Sequence, residues 1–391
     1  MPSLALLASA VLAVSGTTTA TFNKIYHPEN AVCVDYTIPL SVATDKALSW
    51  NGTQWSDNFG LTDFVSMAGS RPDAGFPVPI TGPVDYKDDV EISGTFCSPM
   101  KGLGDVGESG GTVLLASHGL GFDKGYWNSE HKPEDYNFVQ FAVSQGYAVF
   151  FYDRLGVGKS SKISGFMNQA PIQINILGQL SAALKTGRYT GDYGLPKSVV
   201  LLGHSFGSFL SNALLALEPE SADGAILTGL AYNSLSNVQI EAFNLRIAAE
   251  QKEAMMREWK DLDAGYVTWD DIYGNVNNFF KAPSYSLETV EYAEKNKQPF
   301  GILEFLSISS LSFEAPNFAG PVMYIAGEYD FPVCAGYCGG GILEKPAKSF
   351  FSASRAFEAH LVPLTGHSLN FHENATDGFR LVTQFLKNNG L

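Results

Sequence analysis

From Gly111 onward, short apolar runs alternate with stretches that have the spacing of amphipathic helices. A short apolar run followed by a helical pattern is typical of βαβ units, which place successive strands in one parallel sheet. Val, Leu and Ile fill the runs almost continuously, as expected for strands that are covered on both faces. The predicted strands are TVLLASH (112–118), YAVFFYD (147–153), SVVLLGH (198–204), GAILTG (224–229), PVMYIAG (321–327) and HLVPLT (360–365).

Helical patterns separate these strands, and two further segments precede them. The segments AVCVDYTIPL (31–40) and DVEISGTFC (89–97) alternate apolar and polar residues, which indicates antiparallel strands at the leading edge of the sheet. The sequence thus predicts an α/β fold with a mostly parallel central sheet flanked by helices. The predicted helices are DYNFVQFAVSQ (135–145), IQINILGQLSAALKTG (172–187), FGSFLSNALLALE (206–218), SFFSASRAFEA (349–359) and GFRLVTQFLKN (378–388).

One interval breaks this alternation. Between Leu230 and Pro321, about 90 residues contain no clear buried strand. The segment 237–262 has the pattern of one long amphipathic helix, and 285–296 that of another. Because the strand pattern resumes directly afterwards, we interpret 232–318 as a helical insertion. It separates a first part of the core (21–231) from a second part (319–391).

The run VVLLGHSFGSFL (199–210) carries a candidate nucleophile, Ser205. In G-x-S-x-G, the flanking glycines, here Gly203 and Gly207, permit a sharp turn from strand to helix. Such a turn exposes the serine hydroxyl above the sheet at a helix N-terminus, where negative charge is stabilised. An apolar strand precedes Ser205 and a helical pattern follows it. The motif therefore occurs in the context that a nucleophile requires.

A serine nucleophile needs a base, and the base needs an orienting carboxylate. Asp330 follows the strand PVMYIAG, at the sheet edge where ligand-facing groups collect, and Glu328 is its nearest rival. His367 lies in the loop beyond the strand HLVPLT, at the same edge, so it is the preferred base. His360, at the start of that strand, is expected at the opposite edge, and His372 is a further candidate.

An oxyanion hole is the remaining requirement for acyl chemistry. The glycine-rich turn SHGLG (117–121) follows the first parallel strand. The backbone N–H groups of Leu120 (or Gly121) and Phe206 are the expected donors to a tetrahedral oxyanion. Together with Ser205, Asp330 and His367, these residues stand in an order that indicates acyl transfer to a serine.

At this point the chain resembles the α/β-hydrolases, and in particular secreted, lid-bearing esterase- or lipase-like enzymes of filamentous fungi. The resemblance covers roughly residues 85–390 and rests on SHGLG, YDRLGVGKS, GHSFGS, GEYD and GHS. It implies that the insertion 232–318 is a lid. It also implies that Asp153, Gly156 and Gly158 shape a turn near the site and take no part in catalysis.

The N-terminus and the cysteines predict secretion. Residues 1–20 combine an apolar stretch with small residues before Thr21, as in a cleaved signal peptide, and are too short to span a membrane as a retained helix. The four cysteines favour the pairs Cys33–Cys97 and Cys334–Cys338, and no nearby histidine supports a metal site at the second pair. Asn51 and Asn374 are glycosylation acceptors if the chain is secreted.

Composition and charge limit the kinds of binding partner that this chain is expected to have. The formal net charge is −15 and no basic run is present, which argues against nucleic acid. DRLGVGKS has Asp153 where a phosphate-binding loop requires glycine, and no feature calls for a cofactor. The expected partner is a small apolar ester or acyl compound, and the oligomeric state stays open. The insertion supplies apolar residues that either line its pocket or pack lid against body: Phe243, Met255, Met256, Trp259, Tyr266, Trp269, Phe279 and Phe280.

Two other function classes fit the same fold. An acyltransferase would use the same triad with an acceptor other than water. A non-catalytic binding protein would be expected to lack a triad member, and none is missing here. An epoxide hydrolase or dehalogenase with an aspartate nucleophile is disfavoured because the turn carries Ser205.

Overall fold

A computed structural model describes residues 25–71, 79–100, 111–232, 238–251 and 256–391. Within these ranges, eight strands form one sheet in the order β1-β2-β4-β3-β5-β6-β10-β11. The first two strands pair antiparallel, β2 also pairs antiparallel with β4, and the remaining neighbours are parallel. The strands are β1 (Ala31–Trp50), β2 (Ile80–Pro99), β3 (Thr112–Ser117), β4 (Ala148–Tyr152), β5 (Ser198–His204), β6 (Gly224–Thr228), β10 (Val322–Gly327) and β11 (Phe357–Val362).

Helices cover both faces of this sheet, as expected from the continuously apolar strands. Along β3, Val113 and Leu115 pack on one face, whereas Leu114 and Ala116 pack on the other. The first face is covered by α4 (Ala170–Lys185) and α5 (Phe206–Leu217), and the second by α3 (Phe138–Ser144) and α13 (Ala375–Asn388). The other helices outside the insertion are α1 (Asn58–Ala68), α2 (Pro133–Tyr136), α11 (Phe331–Cys334) and α12 (Ala347–Phe350).

The last parallel strand departs from the sequence prediction. β11 begins at Phe357, so the helix expected over 349–359 is wrong except for the short α12, and the strand starts three residues earlier than expected. Phe357, Ala359 and Leu361 are every second residue and pack against the core, which is the period of a strand. Phe357 pairs with Val322 of β10. The pairing with β10 overrides the local helical pattern.

The interval between β6 and β10 contains a small sheet that the sequence analysis missed. Its strands are β7 (Leu245–Ile247), β8 (Tyr266–Trp269) and β9 (Phe300–Gly301), and both pairings are antiparallel. The single helix expected over 237–262 is wrong, because β7 occupies its middle and Asn244 has a positive φ of 46°. The helices here are α6 (Val238–Ala242), α7 (Met256–Trp259), α8 (Ile272–Phe279), α9 (Leu287–Lys295) and α10 (Ile302–Leu306), of which α9 confirms the expected helix at 285–296.

Two disulfide bonds are present: Cys33–Cys97 joins β1 to β2, and Cys334–Cys338 joins the last residue of α11 to the loop that follows it. Within the described ranges, no helix has both the length and the apolar character needed to cross a membrane. The leader expected at 1–20 lies outside the described residues, as does Met255 of the insertion.

Candidate active site

Ser205 lies in the turn between β5 and α5, with φ 52° and ψ −118°. A non-glycine residue held at positive φ costs about 1–3 kcal/mol, and such strain collects at functional sites. A Cβ on Gly203 would lie 2.5 Å from the Cα of Ser208, and one on Gly207 would lie 2.2 Å from the carbonyl oxygen of Ser117. Any larger residue at either position would clash with the backbone, so the two glycines are what allow the strained turn to form. Ser205 is half-buried, whereas both glycines are fully buried.

Asp330 and His367 form a buried pair at the same end of the sheet. Asp330 caps α11 and accepts a hydrogen bond from the backbone N–H of Val333. Its second carboxylate oxygen lies 2.7 Å from Nδ1 of His367, and both side chains are almost inaccessible to solvent. A carboxylate only accepts hydrogen bonds, so Nδ1 of His367 is the donor in this contact, and in the neutral ring the lone pair is then on Nε2. This is the tautomer that a general base requires.

The three rival residues lie elsewhere or bind other groups. The carboxylate of Glu328 accepts the backbone N–H of Leu364 at 3.1 Å. His360 lies within β11 and pairs with Glu358. Neither of them contacts His367 through a hydrogen bond among the described residues.

His372 is close to the Asp330–His367 pair but has no free nitrogen. Its Nδ1–H donates to the carbonyl of Ser368 at 2.8 Å, while Nε2 accepts the backbone N–H groups of Lys281 and Gly366, both at 3.0 Å. Burial is the main cause that lowers the pKa of His372 to about 4. This residue therefore fastens the loop that carries His367 to the insertion.

The turn after β3 lies against Ser205, as an oxyanion loop would. A Cβ on Gly119 would lie 2.9 Å from the Cβ of Ser205. Leu120 follows in the chain, and Gly121 adopts a positive φ of 77°. Phe206 is the first residue of α5, and the first N–H groups of a helix have no acceptor within it. The turn after β3 and the start of α5 thus both adjoin Ser205.

The sequence model of a family described as the Alpha/beta hydrolase family matches residues 113–380. This range contains Ser205, Asp330 and His367 and more than half of the chain. The chain belongs to the α/β-hydrolase family. No curated protein sequence matches it.

Solved structures share the fold at low sequence identity. A thermophilic esterase from Thermogutta terrifontis is 16% identical with a TM-score of 0.51, and the match covers 77% of this α/β-hydrolase and 95% of the esterase. Rv0554 from Mycobacterium tuberculosis is 14% identical with a TM-score of 0.53, covering 77% and 95%. A carboxylesterase structure from Nitrososphaera gargenis is 13% identical with a TM-score of 0.51, covering 76% and 94%. At such identities the likeness extends to the fold alone.

His204, the residue before Ser205, belongs to this α/β-hydrolase site although sequence reasoning did not single it out. Its ring centroid lies 4.9 Å from that of His367, and Tyr126 stacks on it at 4.3 Å. Nδ1 lies 3.0 Å from the hydroxyl of Thr228, and Nε2 is buried with no hydrogen-bond partner among the residues that the structure describes. Burial, followed by the neighbouring His367, lowers the pKa of His204 well below its usual value, so the ring is neutral. Its position in G-H-S-F-G was the only signal available.

The insertion covers the candidate triad with aromatic side chains. The ring of Phe279, at the end of α8, lies 5.6 Å from the ring of His367 and 4.7 Å from that of Trp269. Trp269 in turn packs against Gly121, where a Cβ would lie 2.2 Å from the indole. Phe243 lies 6.0 Å from Phe279. Of the aromatic residues noted in the sequence, Phe279 thus lies beside His367, and Trp269 lies beside Gly121.

Asp153 shapes the turn after β4. Its carboxylate accepts the backbone N–H groups of Lys124 at 3.2 Å and Lys159 at 3.0 Å. A Cβ on Gly158 would lie 2.4 Å from the carboxyl carbon of Asp153, so this turn needs glycine there. Burial, followed by the negative charge of Asp153, raises the pKa of Asp123 to about 7. These acidic groups lie in the loops beside the site and bind backbone N–H groups or the side chain of Gln298.

Proposed function

We propose that this α/β-hydrolase cleaves carboxylic esters through an acyl-enzyme on Ser205, with His367 as the base and Asp330 as the orienting acid. The observation that carries the proposal is the buried 2.7 Å contact between Asp330 and Nδ1 of His367, at the sheet end where the strained Ser205 turn lies. An aspartate in that contact leaves Nε2 of His367 able to accept the serine proton. The family membership fits this chemistry.

The proposed reaction runs in two halves. Oγ of Ser205 attacks the ester carbonyl carbon and its proton passes to Nε2 of His367. The tetrahedral oxyanion is stabilised by the N–H groups of Leu120 and Phe206, and its collapse expels the alcohol, which takes the proton from His367. Water then attacks the acyl-enzyme with His367 again as base. The acid is released and Ser205 regains its proton.

The experiment that tests this proposal replaces the nucleophile. Ser205→Ala removes the attacking oxygen, so we expect kcat on p-nitrophenyl esters to fall by roughly 10⁶-fold. Labelling by a fluorophosphonate probe should be lost as well, while circular dichroism stays as in the wild-type protein. Labelling that persists in Ser205→Ala would assign the nucleophile to another residue.

The proposed role of Asp330 in orienting His367 can be tested against a control residue, Glu328, in the same segment. Asp330→Asn should favour the wrong tautomer of His367 and lower kcat by about 10⁴-fold. Glu328→Gln changes the neighbouring carboxylate, whose partner is the N–H of Leu364, and should leave kcat within about threefold. If Glu328→Gln is the more damaging change, the acid has been misassigned.

The insertion 232–318 is proposed to act as the lid of the site, and the substrate to be a moderately apolar ester, lactone or lipid-like acyl compound. Phe279 and Trp269 beside His367 and the oxyanion loop support an apolar acyl group at this point. A cavity of about 1,320 Å³ between insertion and core is lined by charged and apolar residues together, and its lining contains neither Ser205 nor His367. Acyl transfer to added alcohols that exceeds hydrolysis would favour an acyltransferase instead.

Secretion is proposed from the leader and the two disulfides. Asn51 is exposed and suits glycosylation. The amide of Asn374, by contrast, donates to the carbonyl of Pro363 at 2.6 Å and accepts from Thr365 at 2.8 Å. Of the two predicted acceptors, Asn51 is therefore the better supported.

A further inference from the structure

Arg154, in the turn after β4, is fully buried and uses its side-chain donors within the core. Nε donates to the carbonyl of His118 at 3.1 Å and Nη2 to the carbonyl of Gly119 at 3.2 Å. Nη1 donates to Gln173 at 2.7 Å and also pairs with Glu304 of α10. Taking a guanidinium out of water costs several kcal/mol unless it is paired and hydrogen bonded. The guanidinium of Arg154 is thus both paired with a carboxylate and hydrogen bonded to two backbone carbonyls.

The carbonyl of Gly119 belongs to the same peptide group as the N–H of Leu120. It accepts hydrogen bonds from Nη2 of Arg154 and from Nδ1 of His118, the latter at 2.9 Å. His118 can donate from Nδ1 because its Nε2 accepts the backbone N–H of Arg154 at 3.0 Å. The peptide is planar and trans, so fixing its oxygen on the Arg154 side directs the Leu120 N–H to the opposite side. Hydrogen bonds to a carbonyl also polarise the peptide and strengthen its N–H as a donor.

The same guanidinium contacts the second expected donor residue. Its central carbon lies 4.7 Å from the ring centroid of Phe206, which places a cation on the face of that ring. Phe206 begins α5 directly after Ser205. One buried charge thus contacts the residues on both sides of the expected oxyanion hole.

We propose that Arg154 is a positioning residue for oxyanion stabilisation: it orients and polarises the peptide group that carries the Leu120 N–H. The inference rests on the proposed acyl transfer at Ser205. It extends that function by assigning a source of orientation and positive charge to the oxyanion loop. Arg154 touches neither the substrate nor His367 in this role and acts through the backbone of residues 118–120.

Glu304 extends this arrangement into the insertion. One of its carboxylate oxygens pairs with Arg154 and Gln173, and the other accepts the backbone N–H of Gly301 at 2.8 Å. Lysine would supply a charge at position 154 but lacks the planar fork that reaches two carbonyls and a carboxylate together. Arg154→Lys is therefore expected to lose the orientation while keeping the charge.

The test compares Arg154→Lys with the double variant Arg154→Met/Glu304→Gln, which leaves no unpaired carboxylate in the core. In both we expect kcat on p-nitrophenyl butyrate to fall by about 10²-fold, because a misdirected oxyanion donor acts only on the transition state. KM should stay within about threefold. Inhibition by a trifluoromethyl ketone, which forms an oxyanion on Ser205, should weaken in parallel with kcat. Binding of the matching alcohol, which forms none, should not change.

Arg188 supplies the matched control, since it stacks on Tyr189 at the surface. Arg188→Lys should leave kcat and both inhibition constants unchanged. Unchanged kcat in both Arg154 variants, or equal weakening of ketone and alcohol binding, would overturn the inference while wild-type esterase activity stands. A wild-type protein that neither cleaves esters nor reacts with a fluorophosphonate would refute the proposed function, and with it this inference.

Discussion

At the scale of single residues, His372 is a titratable group that holds two backbone segments together and is not needed for proton transfer. Both of its ring nitrogens are bound to backbone groups, on the His367 loop and on the insertion. Protonation would turn Nε2 from an acceptor into a donor and break two of these contacts. The residue therefore stabilises the fold in its neutral form.

This arrangement predicts a pH effect on stability. The pKa of His372 is about 4 in the folded protein, below its ordinary value of 6.5, so between those values the unfolded chain binds a proton that the folded one does not. The free energy of unfolding therefore falls as pH is lowered through this window, by up to about 1.4 kcal/mol per pH unit. In His372→Gln, whose amide oxygen can replace Nε2 as acceptor, this contribution should be absent.

Urea unfolding of both proteins at pH 7, 6 and 5 measures the difference. We expect the wild-type curve of unfolding free energy against pH to be steeper than that of His372→Gln. His118 and His204, whose pKa values burial also lowers, are present in both proteins and cancel in the comparison. Parallel curves for the two proteins would contradict the assignment of this pH dependence to His372.

At the scale of elements, helix α8 positions Phe279 against His367. Its N-cap, Asp271, accepts the backbone N–H groups of Tyr273 and Gly274, and the helix ends where the carbonyl of Phe279 accepts the N–H of Ser368 at 2.9 Å. The end of α8 is thus hydrogen bonded to the loop that carries the candidate base. This hydrogen bond holds the end of α8, and with it Phe279, next to the loop that carries His367.

We predict that Phe279→Ala enlarges the acyl site and shifts the preference toward longer p-nitrophenyl esters. Each additional buried methylene is worth about 0.8 kcal/mol, which is about fourfold in kcat/KM. Phe280→Ala is the matched control, because Phe280 is also buried but packs on Tyr285 and His372. Both variants should lose stability, and only Phe279→Ala should change the chain-length profile. An unchanged profile in Phe279→Ala would remove this residue from the acyl site.

At the scale of the whole molecule, one disulfide bond links two strands that are distant in sequence, and the other closes a short local loop. Cys33–Cys97 crosslinks β1 to β2 across a directly paired position of the sheet. Cys334–Cys338 closes a short loop directly after Asp330, and the N–H groups of Cys334 and Gly336 both donate to the carbonyl of Asp330. The second bond therefore stiffens the segment that holds the candidate acid.

Protein produced by a secretory host should contain both bonds and begin at Thr21. Intact-mass measurement after alkylation without reduction should find no labelled thiol, and four labels after reduction in denaturant. The same spectrum reports the N-terminus and any glycan on Asn51. Four labelled thiols in the unreduced protein would argue for an intracellular chain and against the leader.

The sequence by itself determined the parallel core and the candidate triad. Strands such as β5 are buried on both faces, so hydrophobicity alone marks them, and the parallel strands confirm the predicted α/β fold. The turn at Ser205 could be recognised in the sequence because a Cβ at position 203 or 207 would clash with neighbouring backbone atoms, so both positions require glycine. Asp330 and His367 could be chosen because the carboxyl ends of parallel strands meet at one edge.

Only the tertiary structure revealed the secondary structure of the insertion, the bounds of the last strand of the sheet and the side chains that surround the site. β7 and β11 are short and pair with strands distant in sequence, and a local pattern of a few apolar residues fits helix and strand alike. Phe279 contacts His367 across more than 80 residues of sequence, and Arg154 contacts the carbonyl of His118 across about 35. Such contacts leave no local periodicity in the sequence, because their energy comes from the partner that folding brings to them.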